Sequence, residues 1–173
     1  MSHFNTRIAN LMIRFAREND VPQIFQFIRN LAEYEQLVDE VVTDIDTLRK
    51  SLFGSGKTAE VIIAELDNKP VGFALFFHNF STFLGKPGLY IEDLFVNHDQ
   101  RGKGIGGELL SFLAQLAIKR DCGRLEWWVL DWNESAIGFY KKLGAIAMND
   151  WTVYRISGQN LSRLAERRSR PHV

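Results

Sequence analysis

The most constraining feature of this chain is an apolar, β-prone run that leads through a short polar loop into a glycine-rich turn. The run is Leu89–Val96 and the turn is Arg101–Gly107. Apolar residues then recur at the spacing of one helical face, at Ile105, Leu109, Phe112, Leu113 and Leu116. N–H groups at a helix start lack intrahelical partners, and the helix dipole is positive there. The pattern therefore predicts an anion site, with Arg101 and Lys103 adding positive charge.

Length and charge narrow the possible classes of protein. The chain has 173 residues, which suits one domain with a buried core. Its 21 basic and 21 acidic residues give a net charge of +0, so composition offers no electrostatic case for nucleic-acid or membrane binding. No apolar run approaches the roughly 20 residues that span a bilayer. Cys122 is the single cysteine, which suits a reducing compartment, and we expect a cytoplasmic protein.

The order of the predicted elements favours an α/β fold, a mixed and mainly antiparallel twisted sheet flanked by helices. Strands are predicted at Met12–Phe15, Glu60–Leu66, Val71–Phe77, Leu89–Val96, Arg124–Leu130 and Thr152–Ile156. The predicted helices are one capped by Asp20, a short one with a Thr43/Asp46 capping box, Gly104–Lys119 and Glu134–Leu143. We expect a flexible leader at 1–11, one domain at 12–157, and a C-terminal helix with a basic tail at 158–173.

Two other sequence features lead to weaker expectations. Residues 54–58 end like a phosphate-binding Walker A loop, but Ser51 stands where that pattern needs glycine, and a strand follows instead of a helix. We therefore expect a loop tip there. The four histidines show no spacing typical of metal ligands, so no metal is expected. The basic tail is open to RNA or lipid contact, although a solvated chain end is the favoured interpretation.

A second segment, Val129–Ala145, carries Asn133, Ala136, Phe139-Tyr140 and Gly144-Ala145 at fixed offsets. Together with Arg101-x-x-Gly104-x-Gly106, and in this order along the chain, it resembles the GNAT N-acetyltransferases over roughly residues 13–156. The resemblance implies that family's fold and acetyl-CoA as co-substrate. It also implies a set of cofactor-binding residues: Leu94, Phe95, Val96, Arg101, Gly102, Lys103, Gly104, Ile105, Gly106, Gly107, Asn133 and Ala136.

Acetyl transfer to an amine needs a base for the nitrogen and an acid for the leaving thiolate. Glu92 lies in an apolar strand, where desolvation would raise its pKa towards that of a useful base. Alternatively, Glu92 forms a structural ion pair. Asp93 is the rival candidate for the base, although adjacent strand residues should face opposite ways. A tyrosine within a helix is more often part of the core, but the resemblance implies that Tyr140 is the acid.

Three short segments resemble the diamine (spermidine/spermine) and thialysine acetyltransferase branch: Leu31–Glu35, Tyr90–Asp93 and Asp131–Asn133. That branch implies a homodimer, direct transfer in a ternary complex, and substrate-binding roles for Tyr34, Glu35, Glu92, Glu126, Trp127 and Trp128. Without the resemblance, a solvated acidic helix face explains the acids near Tyr34 equally well.

One departure from the branch bears on the substrate. The polyamine enzymes carry Asp-Pro-Trp in the loop before the Tyr90 strand, whereas the loop of this chain is Ser81-Thr82-Phe83-Leu84-Gly85-Lys86. The missing acid favours a small primary amine, such as a lysine-like amino acid or a diamine, over spermine. Acetylation of a protein lysine or N-terminus, and a non-catalytic acyl-CoA sensor, remain the alternatives.

Overall fold

The computed structural model describes residues 4–166 of the chain. Packing divides the chain into two compact units, one up to Trp128 and one from Val129 onward. Among the described residues, no helix is both long enough and apolar enough to cross a membrane.

A six-stranded sheet fills the first unit, and its strands lie side by side in chain order. The strands are β1 (Phe4–Asn5), β2 (Leu11–Phe15), β3 (Glu60–Leu66), β4 (Lys69–Ser81), β5 (Lys86–Val96) and β6 (Leu125–Trp127). Neighbours are antiparallel from β1 to β5, whereas β6 runs parallel to β5. The predicted mixed, mainly antiparallel sheet is therefore confirmed.

Helices α1 (Val21–Glu35), α2 (Ile45–Phe53) and α3 (Ile105–Lys119) belong to the first unit. The second unit contains α4 (Glu134–Lys142) and α5 (Gly158–Glu166). β1 therefore lies in the segment predicted as a leader, and α5 begins where a C-terminal helix was predicted. Residues 167–173, which hold part of the predicted basic tail, lie outside the described part of the chain, and the domain boundaries stay a prediction.

Both faces of the sheet are covered by helices. On one face, α1 and α2 pack a buried apolar cluster against β3, β4 and β5: Ile24, Phe27, Leu52, Val61, Ile63, Phe73 and Phe95. The rings of Phe27 and Phe73 are stacked with centroids 5.3 Å apart. Because strand side chains alternate, Ile62 and Ala64 point to the other face, and both are fully buried. Helix α3 contacts β3, β4 and β5 and supplies that second layer.

Strands β4 and β5 form a long hairpin, and each of the two strands is longer than the sequence predicts. The pairing runs from Gly72 opposite Val96 to Ser81 opposite Lys86, so both strands extend beyond the predicted limits. Polar residues such as Asn79 interrupt the apolar pattern in this extension, which explains why the sequence did not reveal it. A register shift occurs within the hairpin: Leu75 lies opposite Asp93 but Phe76 lies opposite Ile91. Glu92 is therefore the extra residue of a β-bulge.

Strands β5 and β6 pair only over a short distance. In this pairing, the three residues from Leu89 to Ile91 lie opposite the three residues of β6, Leu125–Trp127. Beyond Ile91, β5 continues to Val96 with β4 on one side, whereas β6 ends at Trp127. The predicted strand Arg124–Leu130 is thus too long, and the end of β5 has no β6 partner among the described residues.

Three local predictions are wrong. Asp20 stands at the N-cap position of α1, but its carboxylate accepts two hydrogen bonds from the Arg14 guanidinium instead of capping the helix. Helix α2 is capped by Asp44, which accepts from the Thr47 N–H at 2.7 Å, and not by Thr43. No strand forms at residues 152–156, which lie in the irregular stretch between α4 and α5.

The cap of α2 gives a first prediction. Asp44→Ala should lower the midpoint of urea unfolding, because the N–H of Thr47 loses its acceptor in the first turn. Thr43→Ala is the matched control, since the Thr43 hydroxyl caps no N–H group of the helix and only donates to the carbonyl of Asp44 at 3.5 Å. A larger shift in the Thr43 variant than in the Asp44 variant would restore the capping box inferred from sequence.

Candidate functional site

The glycine-rich turn forms the N-terminus of α3, as the sequence predicts. Gly102 and Gly104 have φ angles of 78° and 87°, in the left-handed region that favours glycine. Gly104 is the N-cap residue and has no side-chain cap, and its carbonyl accepts the N–H of Glu108 at 3.1 Å. The N–H groups of residues 105–107 precede this first helical bond and so lack intrahelical partners. The turn can therefore accept an anionic group such as a pyrophosphate.

The open end of β5 lies directly before this turn and includes Leu94, Phe95 and Val96. Phe95 is buried, whereas Leu94 and Val96 keep partial exposure. With β6 ended, this edge of β5 has no strand partner among residues 4–166, and an extended ligand could add to it like a strand. The structure thus brings together a strand edge and an anion-binding turn, the two parts expected of the cofactor site.

Three carboxylates gather where β5 bulges. Glu35 lies in the last turn of α1, while Glu92 and Asp93 are adjacent in β5. Burial, the largest cause, and the charges of Glu92 and Glu35 together raise the pKa of Asp93 to about 7. Burial also raises the pKa of Glu35. The site therefore concentrates negative charge in partly desolvated surroundings, which suits a cationic ligand.

This arrangement corrects the reasoning about Glu92. The sequence suggested that apolar neighbours desolvate Glu92, but its side chain is exposed, and Asp93 is the partly buried carboxylate. The argument that the two residues face opposite ways assumed a regular strand, and the bulge interrupts that alternation. A run of apolar letters in a sequence cannot show on which residue a bulge falls.

The predicted substrate residues at the end of β6 are only partly available. Glu126 accepts a hydrogen bond from Asn79 Nδ2 at 2.8 Å, and its Oε2 lies 2.8 Å from Nε of Arg124. Arg124 Nε is not well aligned for a hydrogen bond, so this second contact is an ion pair. The carboxylate is thus already neutralised. Trp127 is partly buried, whereas Trp128 is exposed and packs edge-to-face on Tyr90, with ring centroids 5.7 Å apart.

Arg101 occupies a position that the sequence did not reveal. Its guanidinium carbon lies 4.2 Å from the centroid of the Tyr34 ring and 5.6 Å from that of Phe95. Its Nε donates to the carbonyl of Val96 at 3.1 Å. The other cation of the turn, Lys103, donates to Oε1 of Gln100 at 2.7 Å. A cofactor-side residue thus contacts a predicted substrate-side residue.

The remaining predicted residues belong to the second unit. Asn133 is buried and caps α4, because its Oδ1 accepts the N–H of Ala136 at 3.2 Å. This explains the pairing of the two residues in the motif, whatever else they contact. Tyr140 lies in α4 and is partly buried, with its ring centroid 5.3 Å from that of Phe139. Its catalytic role stays a prediction, as does that of Glu92. Residues 4–166 include no cluster of three or more side chains that could hold a metal ion.

Comparison with known proteins gives concordant results. The profile of the acetyltransferase (GNAT) family matches residues 8–145. A thialysine N-epsilon-acetyltransferase of Bos taurus is 36% identical over 91% of this chain and 99% of its own length. An L-ornithine N5-acetyltransferase of Arabidopsis thaliana is 31% identical over 88% of this chain and 86% of its own. An integron cassette protein from the mobile metagenome of V. cholerae has a TM-score of 0.76 at 30% identity, covering 92% and 99% of the two chains.

Asp93 provides a prediction for stability against pH. Its folded-state pKa of about 7 exceeds the ordinary value of 3.8, so the native state holds a proton that the unfolded state releases between those values. The native state is therefore penalised as pH rises through this window. Asp93→Asn should increase the free energy of unfolding by about 1–3 kcal/mol at pH 8, with the gain shrinking towards pH 4.

Urea unfolding of the wild type and of Asp93→Asn from pH 4 to pH 8 measures the difference between their free energies of unfolding. Asp39→Asn, at an exposed residue outside the carboxylate cluster, is the matched control and should show no such trend. A gain in the Asp93 variant that is constant with pH would contradict the raised pKa.

Proposed function

The chain belongs to the GNAT acetyltransferase family and is an acetyl-transferring enzyme; from that premise we propose that it acetylates a small primary amine. The substrate we favour is a lysine-like amino acid or a short diamine, with acetyl-CoA as the acetyl donor and direct transfer in a ternary complex. The observation that carries this proposal is the cluster of Glu35, Glu92 and Asp93 beside the open end of β5.

The residues of the turn and of the β5 edge fit acetyl-CoA. The ligand combines a pyrophosphate with an extended pantetheine arm that carries amide groups, and it supplies an acetyl group activated as a thioester. The N-terminus of α3 suits the pyrophosphate because its first N–H groups are unpaired within the helix. An ideal Cβ added at Gly107 would meet nothing within 4 Å, so the approach to this turn is open. Leu94, Phe95 and Val96 suit the arm.

The cationic character of an amine agrees with the local charge. Three carboxylates lie near the bulge, and the described charges that shift the pKa of Asp93 are all acidic. No basic side chain is among those charges, so an arriving ammonium group would favour the ionised form of Asp93. The relatives named for thialysine and L-ornithine act, by those names, on amino acids with a terminal amine. A long polycation is less well suited, since Glu126 is already paired with Arg124.

Transfer requires that one proton leaves the amine, because an alkyl amine with a pKa of about 10.4 is almost entirely protonated at pH 7. We propose that Glu92 removes this proton through a water molecule, since its carboxylate is exposed at the bulge. Asp93, with a pKa raised to about 7, is the alternative base, because such a group is partly ionised at neutral pH. Tyr140 is proposed to protonate the thiolate of CoA.

We propose that the enzyme acts in the cytoplasm as a homodimer. The single cysteine agrees with a reducing compartment. Residues 145–157 expose several apolar side chains in the described chain, including Ile146, Trp151 and Tyr154. Covering such a surface with a second copy would be favourable. Light scattering measures the mass directly, and a single monomer mass at micromolar concentration would contradict the dimer.

Release of free CoA thiol from acetyl-CoA tests the function, with thialysine, lysine, ornithine, putrescine, spermidine, spermine and a lysine peptide as acceptors. The proposal expects the highest kcat/KM for an amino acid or a short diamine. Highest activity on the peptide would favour a protein acetyltransferase instead. Tight acetyl-CoA binding without turnover on any amine would favour an acyl-CoA sensor.

Tyr140→Phe should lower kcat by about 10²–10⁴-fold, the usual contribution of a general acid, with little change in the Kd of acetyl-CoA. Tyr154→Phe is the matched control in the same unit, because Tyr154 is exposed, and the substitution keeps the ring that belongs to the surface proposed for the dimer. Equal kcat in the Tyr140 variant and the wild type would remove Tyr140 from the mechanism.

Gly104→Ala should weaken acetyl-CoA binding by about tenfold, because the φ of 87° costs an L-residue roughly 1–2 kcal/mol and the turn must rearrange to relieve it. Gly56→Ala is the control, since Gly56 has neither a positive φ nor any atom within 4 Å of an added Cβ. Calorimetry with CoA measures both variants. Unchanged affinity in the Gly104 variant would mean that the pyrophosphate binds elsewhere.

A further inference from the structure

Arg101 belongs by sequence to the anion-binding turn, yet its side chain contacts Tyr34 of α1, a residue predicted to bind the substrate. The guanidinium carbon lies 4.2 Å from the Tyr34 ring centroid, which is within the range of a cation–π contact. Phe95 forms the second aromatic wall, at 5.6 Å. The Nε–H donor is used by the carbonyl of Val96 at 3.1 Å. The flat face and one donor of the guanidinium are thus engaged within the protein.

Tyr34 lies in the last turn of α1. The helix ends at Glu35, and Gln36 adopts a left-handed conformation with φ 61°. The N–H groups of Gln36 and Leu37 close this end on the carbonyls of Glu33 and Ala32, at 3.2 and 2.8 Å, so the last turn is held as one unit. A contact that fixes Tyr34 therefore also fixes Glu35, whose charge acts on Asp93 in β5.

The geometry suits arginine and not lysine. An arginine can place its planar face on an aromatic ring while Nε–H donates in the plane of the guanidinium. A lysine ammonium is a point charge without that planar fork, so it cannot reproduce both contacts from the same position. Lys103 illustrates the difference, because it lies in the same turn and its ammonium donates to Oε1 of Gln100.

We propose that Arg101 is a positioning residue of the amine site, which holds Tyr34 and Glu35 at the end of α1 against β5, and that it is not the main ligand of the pyrophosphate. This inference rests on the proposed function, because it assigns Arg101 to the acceptor half of that reaction. Arg101 thereby connects the start of the anion-binding turn to the last turn of α1, because it donates to the Val96 carbonyl and stacks on the Tyr34 ring.

Steady-state kinetics on the full chain tests this assignment. Arg101→Gln and Arg101→Lys should both raise the KM for the preferred amine by about 3–10-fold, since each loses the stacked guanidinium. The Kd of acetyl-CoA, measured by calorimetry, should stay within about twofold in the lysine variant, which keeps the charge. Lys103→Gln is the matched comparison, and it should weaken acetyl-CoA without raising the amine KM. The reverse pattern, with acetyl-CoA weakened and the amine KM unchanged in Arg101→Lys, overturns the proposal.

A double-mutant cycle shows whether Arg101 acts through Tyr34. Tyr34→Leu removes the ring, whereas Tyr34→Phe keeps it as a control. In the Tyr34→Leu background, Arg101→Gln should have little further effect on the amine KM, and in the Tyr34→Phe background it should keep its full effect. Multiplicative effects in the Tyr34→Leu background overturn the proposal, because they would mean that the two residues act independently.

A readout without catalysis separates this inference from the proposed function. In NMR spectra, the Nε–H and δ-methylene signals of Arg101 should be shifted upfield by the Tyr34 ring and should return to ordinary positions in Tyr34→Leu. If no amine is acetylated by the wild type, the proposed function fails, and the ring shift together with CoA affinity still decides the placement of Arg101. Unshifted signals with CoA binding lost in Arg101→Lys overturn it.

Discussion

The separation of β5 and β6 after Ile91 is the constraint on which the rest of the site depends. Backbone groups in a sheet need partners, and a strand edge without one is a place where another extended chain can bind. The unpaired edge results from the different lengths of the two strands, because β6 ends at Trp127 while β5 continues to Val96. The anion-binding turn follows directly, so an elongated ligand with a charged end meets both features in sequence.

The β-bulge at Glu92 sets the electrostatics on the same strand. One extra residue places two carboxylates side by side near the acid at the end of α1, and one of the two becomes partly buried. Burying an acid beside other acids is unfavourable for stability, as is usual where a group is held for chemistry and not for the fold. Burial of Asp93 thus lowers the free energy of unfolding. The surrounding core, which includes Phe27, Phe73 and Phe95, must offset this loss.

Periodicity and glycine patterns were sufficient to predict the sheet class, helices α1 and α3, and the turn at Gly104, because each depends on residues close together in the sequence. The predictions that failed depend on which partner a side chain finds, near or far in the chain. Asp20 does not cap α1 because Arg14 on β2, six residues earlier, takes its carboxylate. The stacking of Arg101 on Tyr34 joins residues far apart in the chain. The bulge required knowledge of the β4 register, which no spacing within β5 contains.

The raised pKa of Asp93 has a further consequence for charge conservation. A carboxyl group that is half-protonated near neutral pH holds a proton as its counter-ion. When another cation approaches, the ionised form becomes more favourable and the proton leaves for the solvent. The carboxylate cluster would therefore release a proton when a cation binds. Its total charge would then change by less than the charge of the cation. The heat of such an exchange would depend on the ionisation enthalpy of the surrounding buffer.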